Sequence, residues 1–97
     1  MATYIVLSNF TEQGIRSIKD TTKRADAVKD LARKFGVTAK DFYWTLGAYD
    51  VVVVFDAPDD ASMTALGLAI GGGGNVRTQT LRAFSRDEMN GVLAKLG

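Results

Sequence analysis

A short run of β-branched and aromatic residues at positions 51–55, Val-Val-Val-Val-Phe, limits what the chain can fold into. Turn residues bound the run on both sides and it is short, so it predicts a strand rather than a helix. Successive side chains of a strand point to opposite faces, and here both faces receive apolar residues. One face carries Tyr49, Val51, Val53 and Phe55, and the other carries Asp50, Val52, Val54 and Asp56.

A strand that is apolar on both faces belongs in a sheet that is covered on both faces. Helices of the same chain can cover one face, but a single domain of 97 residues has little left for the other. We therefore predict that a second copy covers the second face, which makes the protein a homodimer or a larger homo-oligomer.

The composition excludes several classes of protein. Apolar residues at 46% and charged residues at 24% are ordinary for a folded globular domain. The net charge of +1 gives no sign of the basic patch that nucleic acid or an anionic membrane requires. No segment approaches the ~20 apolar residues that cross a bilayer, and no signal peptide is recognisable. The expected compartment is the cytoplasm.

The chain contains neither cysteine nor histidine. Disulfides, thiolate metal sites and a cysteine nucleophile are therefore excluded. The commonest acid–base group at neutral pH and the usual zinc or iron ligand are missing as well. We predict no cofactor and no metal site, since only carboxylates remain to bind a hard cation.

The rest of the sequence supplies three more strands and three helical regions. Thr11 followed by Glu12 is typical of a helix start, and Gly36 of a helix end. A polar cluster at residues 19–23 predicts a break in that helix, with Thr21 capping the second part. The predicted strands cover residues 4–9, 41–46, 51–55 and 76–84, and further helices follow Asp59 and Asp60 and the capping box Ser85–Glu88.

Between the second and third strands, Gly47-Ala48 predicts a two-residue hairpin turn. Four glycines at positions 71–74 predict the end of the helix that precedes the fourth strand. That strand alternates Arg77, Gln79 and Arg82 with apolar residues, which indicates an edge position.

The order β-α-β-β-α-β with a final helix predicts an α+β, ferredoxin-like fold with a four-stranded antiparallel sheet in the order 4-1-3-2. We further expect strands 1 and 3 to point in the same direction. On that basis Asp50 and Arg82 lie at one end of the sheet, and Asp56 and Arg77 lie at the other end with Asn9, Glu12 and Asn75.

Several segments resemble the GYD domain family, over roughly residues 3–96. The family takes its name from the residues that stand here as Gly47, Tyr49 and Asp50. The other matching segments are residues 11–15, residues 56–60 and residues 75–84. The family resembles the dimeric α+β barrel group of small oxygenases, haem proteins and ligand-sensing regulators. The resemblance implies a barrel-forming dimer and no established activity.

The candidate site centres on Asp50 and the aromatic residues Tyr43, Trp44 and Tyr49. In a pocket, Asp50 is a candidate catalytic base and Tyr49 or Tyr43 its partner. The alternative is that Asp50 bonds to hairpin backbone while the aromatic residues pack in the core and the dimer interface. The candidate ligand-binding residues are Trp44, Arg77, Arg82, Asn9 and Asn75.

Other motifs have simpler interpretations. The four glycines could approach a phosphate, but they follow a helix instead of opening one. Asp56, Asp59 and Asp60 could hold a hard cation, but a cluster at a helix start explains them as well. Arg77 and Arg82 could bind an anion, or they could protect an edge strand.

These observations favour a small homo-oligomeric protein that binds a small organic or anionic ligand. The alternatives are a cofactor-independent oxygenase or isomerase that uses Asp50, and a structural subunit of a larger assembly. Binding to nucleic acid or to a membrane is not expected.

Overall fold

The computed structural model describes residues 1–97. The strands are β1 (Ala2–Phe10), β2 (Thr38–Trp44), β3 (Val51–Ala57) and β4 (Val76–Ala83). The helices are α1 (Glu12–Arg16), α2 (Thr21–Lys34), α3 (Asp60–Gly72) and α4 (Arg86–Ala94), with a 3₁₀ turn at Ile18–Asp20 between α1 and α2. None of the four combines the length and the apolar character that crossing a bilayer requires.

The sheet has the order β2-β3-β1-β4, which confirms the predicted order and the edge position of β4. Every neighbouring pair is antiparallel, including β1 with β3. The expectation that the first and third strands share a direction was therefore wrong. A right-handed crossover aligns the first two strands in direction, and the hairpin then reverses the third.

The helices α2 and α3 cover one face of the sheet, which we call the helix face. Its core includes Tyr4 and Val6 of β1, Val53 and Phe55 of β3, and Leu66 of α3, each at most 5% exposed. Cross-strand pairs place Tyr4 opposite Phe55, and Val6 opposite Val53. This hydrophobic cluster is the single core of the domain.

The helix ends follow the sequence signals closely. The Thr11 hydroxyl accepts a hydrogen bond from the Gly14 amide, Gly36 has a φ of 72°, and Ser85 and Glu88 form the predicted capping box. The first helical region breaks, as predicted, but at residues 17–20 and not 19–23. Asp20 rather than Thr21 precedes α2 and makes no side-chain cap.

The hairpin between β2 and β3 is longer than predicted. The Thr45 amide donates to the Asp50 carbonyl at 2.8 Å, so four residues, not two, form the loop between them. Gly47 has a φ of 130° inside that loop, a conformation that favours glycine. Strand β2 begins and ends earlier than expected, and its register shifts between Ala39 and Asp41.

Candidate functional site

The hairpin loop is tied to β1 through Asp50. Its Oδ2 accepts a hydrogen bond from the Phe10 backbone amide at 2.9 Å, and its own amide donates to the Ser8 carbonyl at 2.9 Å. These two bonds satisfy backbone groups where β1 ends. The carboxylate therefore bonds to backbone, although to β1 and not to the hairpin as the alternative had it, and it holds the loop against the end of β1.

Tyr49 fastens the same loop to the other edge of the sheet. Its hydroxyl donates to Oε1 of Gln79 in β4 at 3.0 Å. Together with Gly47 and Asp50, it closes one end of the sheet: the glycine allows the loop conformation, the tyrosine reaches β4 and the aspartate reaches β1. Each of the three residues thus has a structural task.

The antiparallel register corrects the predicted charge pairs. Arg77 lies directly opposite Asn9, at the end of the sheet where Asp50 lies. Arg82 lies opposite Tyr4 towards the far end, on the helix face. The expected grouping of Asp50 with Arg82 and of Asp56 with Arg77 was wrong, because β3 runs opposite to the assumed direction.

Arg82 and Asp56 have other partners. The Arg82 guanidinium lies 3.2 Å from Glu88 of α4 and stacks over the rings of Tyr4 and Phe84 at 5.7 and 4.7 Å. Asp56 accepts from the Thr3 hydroxyl at 3.2 Å and forms an ion pair with Lys40 at 3.4 Å.

The predicted catalytic and ligand-binding residues fall on two faces of the sheet. The register places Asn9, Arg77 and Tyr43 on the face opposite the helices, which we call the open face. Trp44 is on the helix face, where its indole N–H donates to the Thr21 hydroxyl at 3.0 Å. No single pocket therefore contains the whole predicted set.

Asn75 follows the four glycines, and this segment packs against the start of α1. Its carbonyl accepts from the Thr11 amide at 3.0 Å, and its side-chain oxygen accepts from Gln13 at 3.1 Å. A Cβ at Gly14 would lie 2.1 Å from the Asn75 carbonyl oxygen, so only glycine fits there. The glycine run ends α3, as predicted, and Gly74 has a φ of 81°.

The open face is apolar and no element of the chain covers it. Cross-strand neighbours Ile5 and Val54, and Leu7 and Val52, form its centre, and Leu81 of β4 extends it. Leu81 is 40% exposed, whereas the residues of the central strands are half-buried by their neighbours within the sheet.

Helix α4 projects from the body of the domain and contains no buried residue. Its large apolar side chains Met89, Val92 and Leu93 follow helical spacing, and all are exposed, as is Leu96 just beyond the helix end. The radius of gyration is 14.5 Å, above the about 12.5 Å expected for a compact chain of this length. The extra size agrees with a helix that buries no residue against the domain and is joined to β4 by the ion pair of Glu88 with Arg82.

A cleft of about 230 Å³ opens on the helix face between α2 and α3. Its floor is formed by Val51, Val53 and Phe42 of the sheet, and Trp44 and Asn75 are the only predicted ligand residues that line it. Because side chains alternate along a strand, the sequence could have placed Trp44 and Tyr43 on opposite faces of the sheet. No signal in the sequence predicted a gap between the helices.

Sequence analysis also missed a tyrosine–carboxylate pair. The hydroxyl of Tyr4 in β1 donates to Asp60 in the first turn of α3. This hydrogen bond raises the pKa of Tyr4 above its ordinary value, and burial adds to the increase. The only signal in the sequence was a tyrosine hydroxyl on the face of β1 that also carries Val6 and Ser8.

The acidic residues near the start of α3 act separately. Asp59 caps α3 by accepting from the Ser62 amide at 2.7 Å, which lowers the pKa of Asp59. Asp60 bonds to Tyr4, and Asp56 bonds to Thr3 and Lys40. No group of three or more acidic side chains in the chain is arranged to hold a metal ion.

Comparison with known proteins identifies a family and a relative of this chain. The model of the GYD domain family matches residues 4–93. A protein of Thermus thermophilus named "Glutamine synthetase and cystathionine beta-lyase binding protein" is 38% identical over 85 residues. The aligned region covers 87% of this chain and 90% of that protein.

Proposed function

Because the chain belongs to the GYD domain family, we propose that it is a small homo-oligomeric protein that binds other proteins and one small organic molecule. The observation that carries the proposal is the pair of apolar surfaces that the chain leaves uncovered, the open face and α4. Each surface has a different occupant in the proposal.

The open face pairs with the open face of a second copy. Its centre is as aliphatic as the core, and exposed apolar patches of this kind are typical of interaction sites. A twofold contact between identical faces is self-complementary, and two packed sheets lie about 10 Å apart. The pair forms a dimeric α+β barrel, with the apolar rows of β1 and β3 at its centre.

Helix α4 binds the partner protein. A free helix of 9 residues is short of the ~12 needed for even marginal stability in water, so packing has to stabilise it. Met89, Val92 and Leu93 of α4, continued by Leu96 just after it, form the kind of apolar stripe that a helix inserts into a groove of another protein. The name of the Thermus relative supports a partner that is an enzyme, either a glutamine synthetase or a cystathionine beta-lyase.

The cleft between α2 and α3 supports the small-molecule part of the proposal. Ligand sites are mainly apolar and concave with a few polar groups, and this cleft has that character.

Two leucine substitutions test the homo-oligomer. Leu81→Glu puts a charge on the open face, and Leu68→Glu puts the same charge on an exposed position of α3. Sedimentation velocity should show the wild type and Leu68→Glu as oligomers and Leu81→Glu as a 10.5 kDa monomer. A wild-type chain that sediments as a monomer at all concentrations contradicts the proposal.

A substitution in α4 tests the partner. Leu93→Glu interrupts the apolar stripe, whereas Arg86→Gln alters an exposed position of the same helix. Biolayer interferometry with purified glutamine synthetase and cystathionine beta-lyase should show saturable binding to the wild type and Arg86→Gln, and none to Leu93→Glu. If the wild type binds neither enzyme, this part of the proposal is wrong.

A further inference from the structure

The cleft between α2 and α3 has the size of a small ligand. Its volume is about 230 Å³, somewhat below the ~300–1,000 Å³ of sites for drug-sized molecules. Val28 and Leu31 of α2 and Ile70 of α3 line it above the floor of the sheet. The cleft is therefore a concave, mainly apolar surface, which is the character of a small-molecule site.

The cleft has a single charged residue, and it is positive. Arg24 of α2 is the only ionisable side chain in the lining, which contains no carboxylate. Arg24 also forms none of the four ion pairs in the chain. A bound molecule of negative charge therefore meets an uncompensated cation and no opposing acid.

The guanidinium of Arg24 is positioned and still has donors to spare. It donates to the Ser17 carbonyl and hydroxyl at 2.7 and 3.0 Å, and to the Gly14 carbonyl at 3.2 Å. A guanidinium has five N–H groups, so these three bonds leave two without an acceptor in the chain. Such N–H groups form strong, directional bonds to a carboxylate.

The first turn of α2 adds a second donor beside Arg24. Thr21 lines the cleft, and its oxygen accepts the indole N–H of Trp44 at 3.0 Å. The hydroxyl proton of Thr21 is therefore directed away from Trp44 and remains available to an acceptor. The amino-terminal turn of a helix favours negative charge as well.

From this combination we infer that the cleft binds a small monocarboxylate with an aromatic or branched aliphatic body. The carboxylate lies against Arg24 and Thr21 beside the ring of Trp44, and the apolar body fills the space between Val28, Val53 and Ile70. The inference rests on the small-molecule part of the proposed function and names its chemical class. It is independent of the open face and of α4.

Trp44 is the only tryptophan in the chain, so its fluorescence reports directly on the cleft. Three probes of one size and different charge separate the contributions: phenylacetate, phenylacetamide and phenethylamine. We expect saturable binding of phenylacetate, with a dissociation constant of about 1 mM or lower for a ligand of this size. The amide should bind at least about tenfold more weakly and the amine not at all.

The possible failures are distinguishable. If the amide binds as tightly as the acid, the inferred ligand class is wrong, although the cleft still binds small molecules. If none of the three probes changes the fluorescence at about 10 mM, tenfold above the expected constant, both the inference and the small-molecule part of the proposed function are wrong.

Substitutions locate the site. Arg24→Gln should reduce phenylacetate binding to the level of the amide, whereas Arg33→Gln, on the exposed side of the same helix, should leave it unchanged. Because Arg24 also holds Ser17 and Gly14, Ala25→Leu provides an independent variant that fills the cleft and keeps the cation. It should abolish binding of all probes while circular dichroism stays native. Binding of phenylacetate to Ala25→Leu or to Arg24→Gln with wild-type affinity would overturn the inference.

Discussion

The two faces of the sheet are built from the same kinds of residue but have different surroundings. On the helix face, Phe55 is 0% and Val53 5% exposed beneath α2 and α3. On the open face, Val52 and Val54 alternate with them along β3 and remain half-buried, with only their neighbours in the sheet around them. An aliphatic side chain in β3 therefore lies either in the buried core or on the uncovered open face, according to its position along the strand.

The comparison explains why so small a domain keeps an apolar second face. Folding buries one face only, so the free energy available from the other face is released only when another surface covers it. If that surface is a second copy, substitutions on the two faces should differ in kind. Those on the helix face should reduce the free energy of unfolding, and those on the open face should reduce association.

The largest expected effect is on the helix face. Phe55→Ala leaves a cavity in the core and should lower the free energy of unfolding by about 3–5 kcal/mol. Val54→Ala, made in the monomeric Leu81→Glu chain, removes contacts with no covering layer and should cost less than about 1.5 kcal/mol. Urea unfolding followed by circular dichroism measures both. Equal losses would show that the open face is packed within the monomer, which would end the contrast between the faces.

The sequence predicted the architecture because the signals involved are local. The β-branched run in β3, the glycine at position 36 and the capping box at Ser85 each act within a few residues, and all were confirmed. Membership of the GYD family was also recognisable from the hairpin motif. The strand order followed from the sequence of elements and the handedness of crossovers.

The candidate site was less predictable because it depends on contacts distant in sequence. Tyr4 and Asp60 meet across 56 positions, and no spacing in the sequence links them. The relative direction of β1 and β3 decides which charged residues share an end of the sheet. Because the assumed direction was wrong, Arg77 and Arg82 were each assigned to the wrong end. The gap between α2 and α3 depends on how far apart two helices pack, which hydrophobic patterning does not encode.

A smaller effect is expected at Asp50, where the two faces meet the hairpin loop. Asp50→Ala removes the acceptor for the Phe10 amide and should lower the free energy of unfolding by about 1.5–3 kcal/mol, the range for a bond to a charged group. Asp41→Ala, an exposed acid in β2, is the control and should change stability by less than about 0.5 kcal/mol. Urea unfolding again provides the comparison. A loss at Asp50 no larger than at Asp41 would remove the structural role assigned to the hairpin motif.

Asp50→Asn addresses the enzyme alternative at the same position. As a catalytic base, Asp50 would need its charge, and the amide variant should lose turnover of any substrate identified for the protein. As a structural acceptor, the amide oxygen of the variant can still accept from the Phe10 amide, and stability should fall less than in Asp50→Ala. Turnover that is unchanged in Asp50→Asn would eliminate the hypothesis of an oxygenase or isomerase that uses Asp50 as its base.

The smallest effect is confined to alkaline pH and compares a tyrosine from each face. Tyr4, on the helix face, donates to Asp60, and this bond raises the pKa of Tyr4 above 10.0. A raised pKa means that the folded state holds the proton more tightly than the unfolded chain. The resulting stability is complete below pH 10 and is lost as the pH rises through the folded pKa. Tyr4→Phe removes this contribution, so its deficit relative to the wild type should be constant below about pH 10 and shrink as the pH rises further. Tyr43→Phe, on the open face and 56% exposed in the wild type, is the matched control because it removes a tyrosine hydroxyl that does not bond to Asp60. Urea midpoints measured across this range test the contrast, and a constant deficit for Tyr4→Phe would show that the bond to Asp60 does not stabilise the fold.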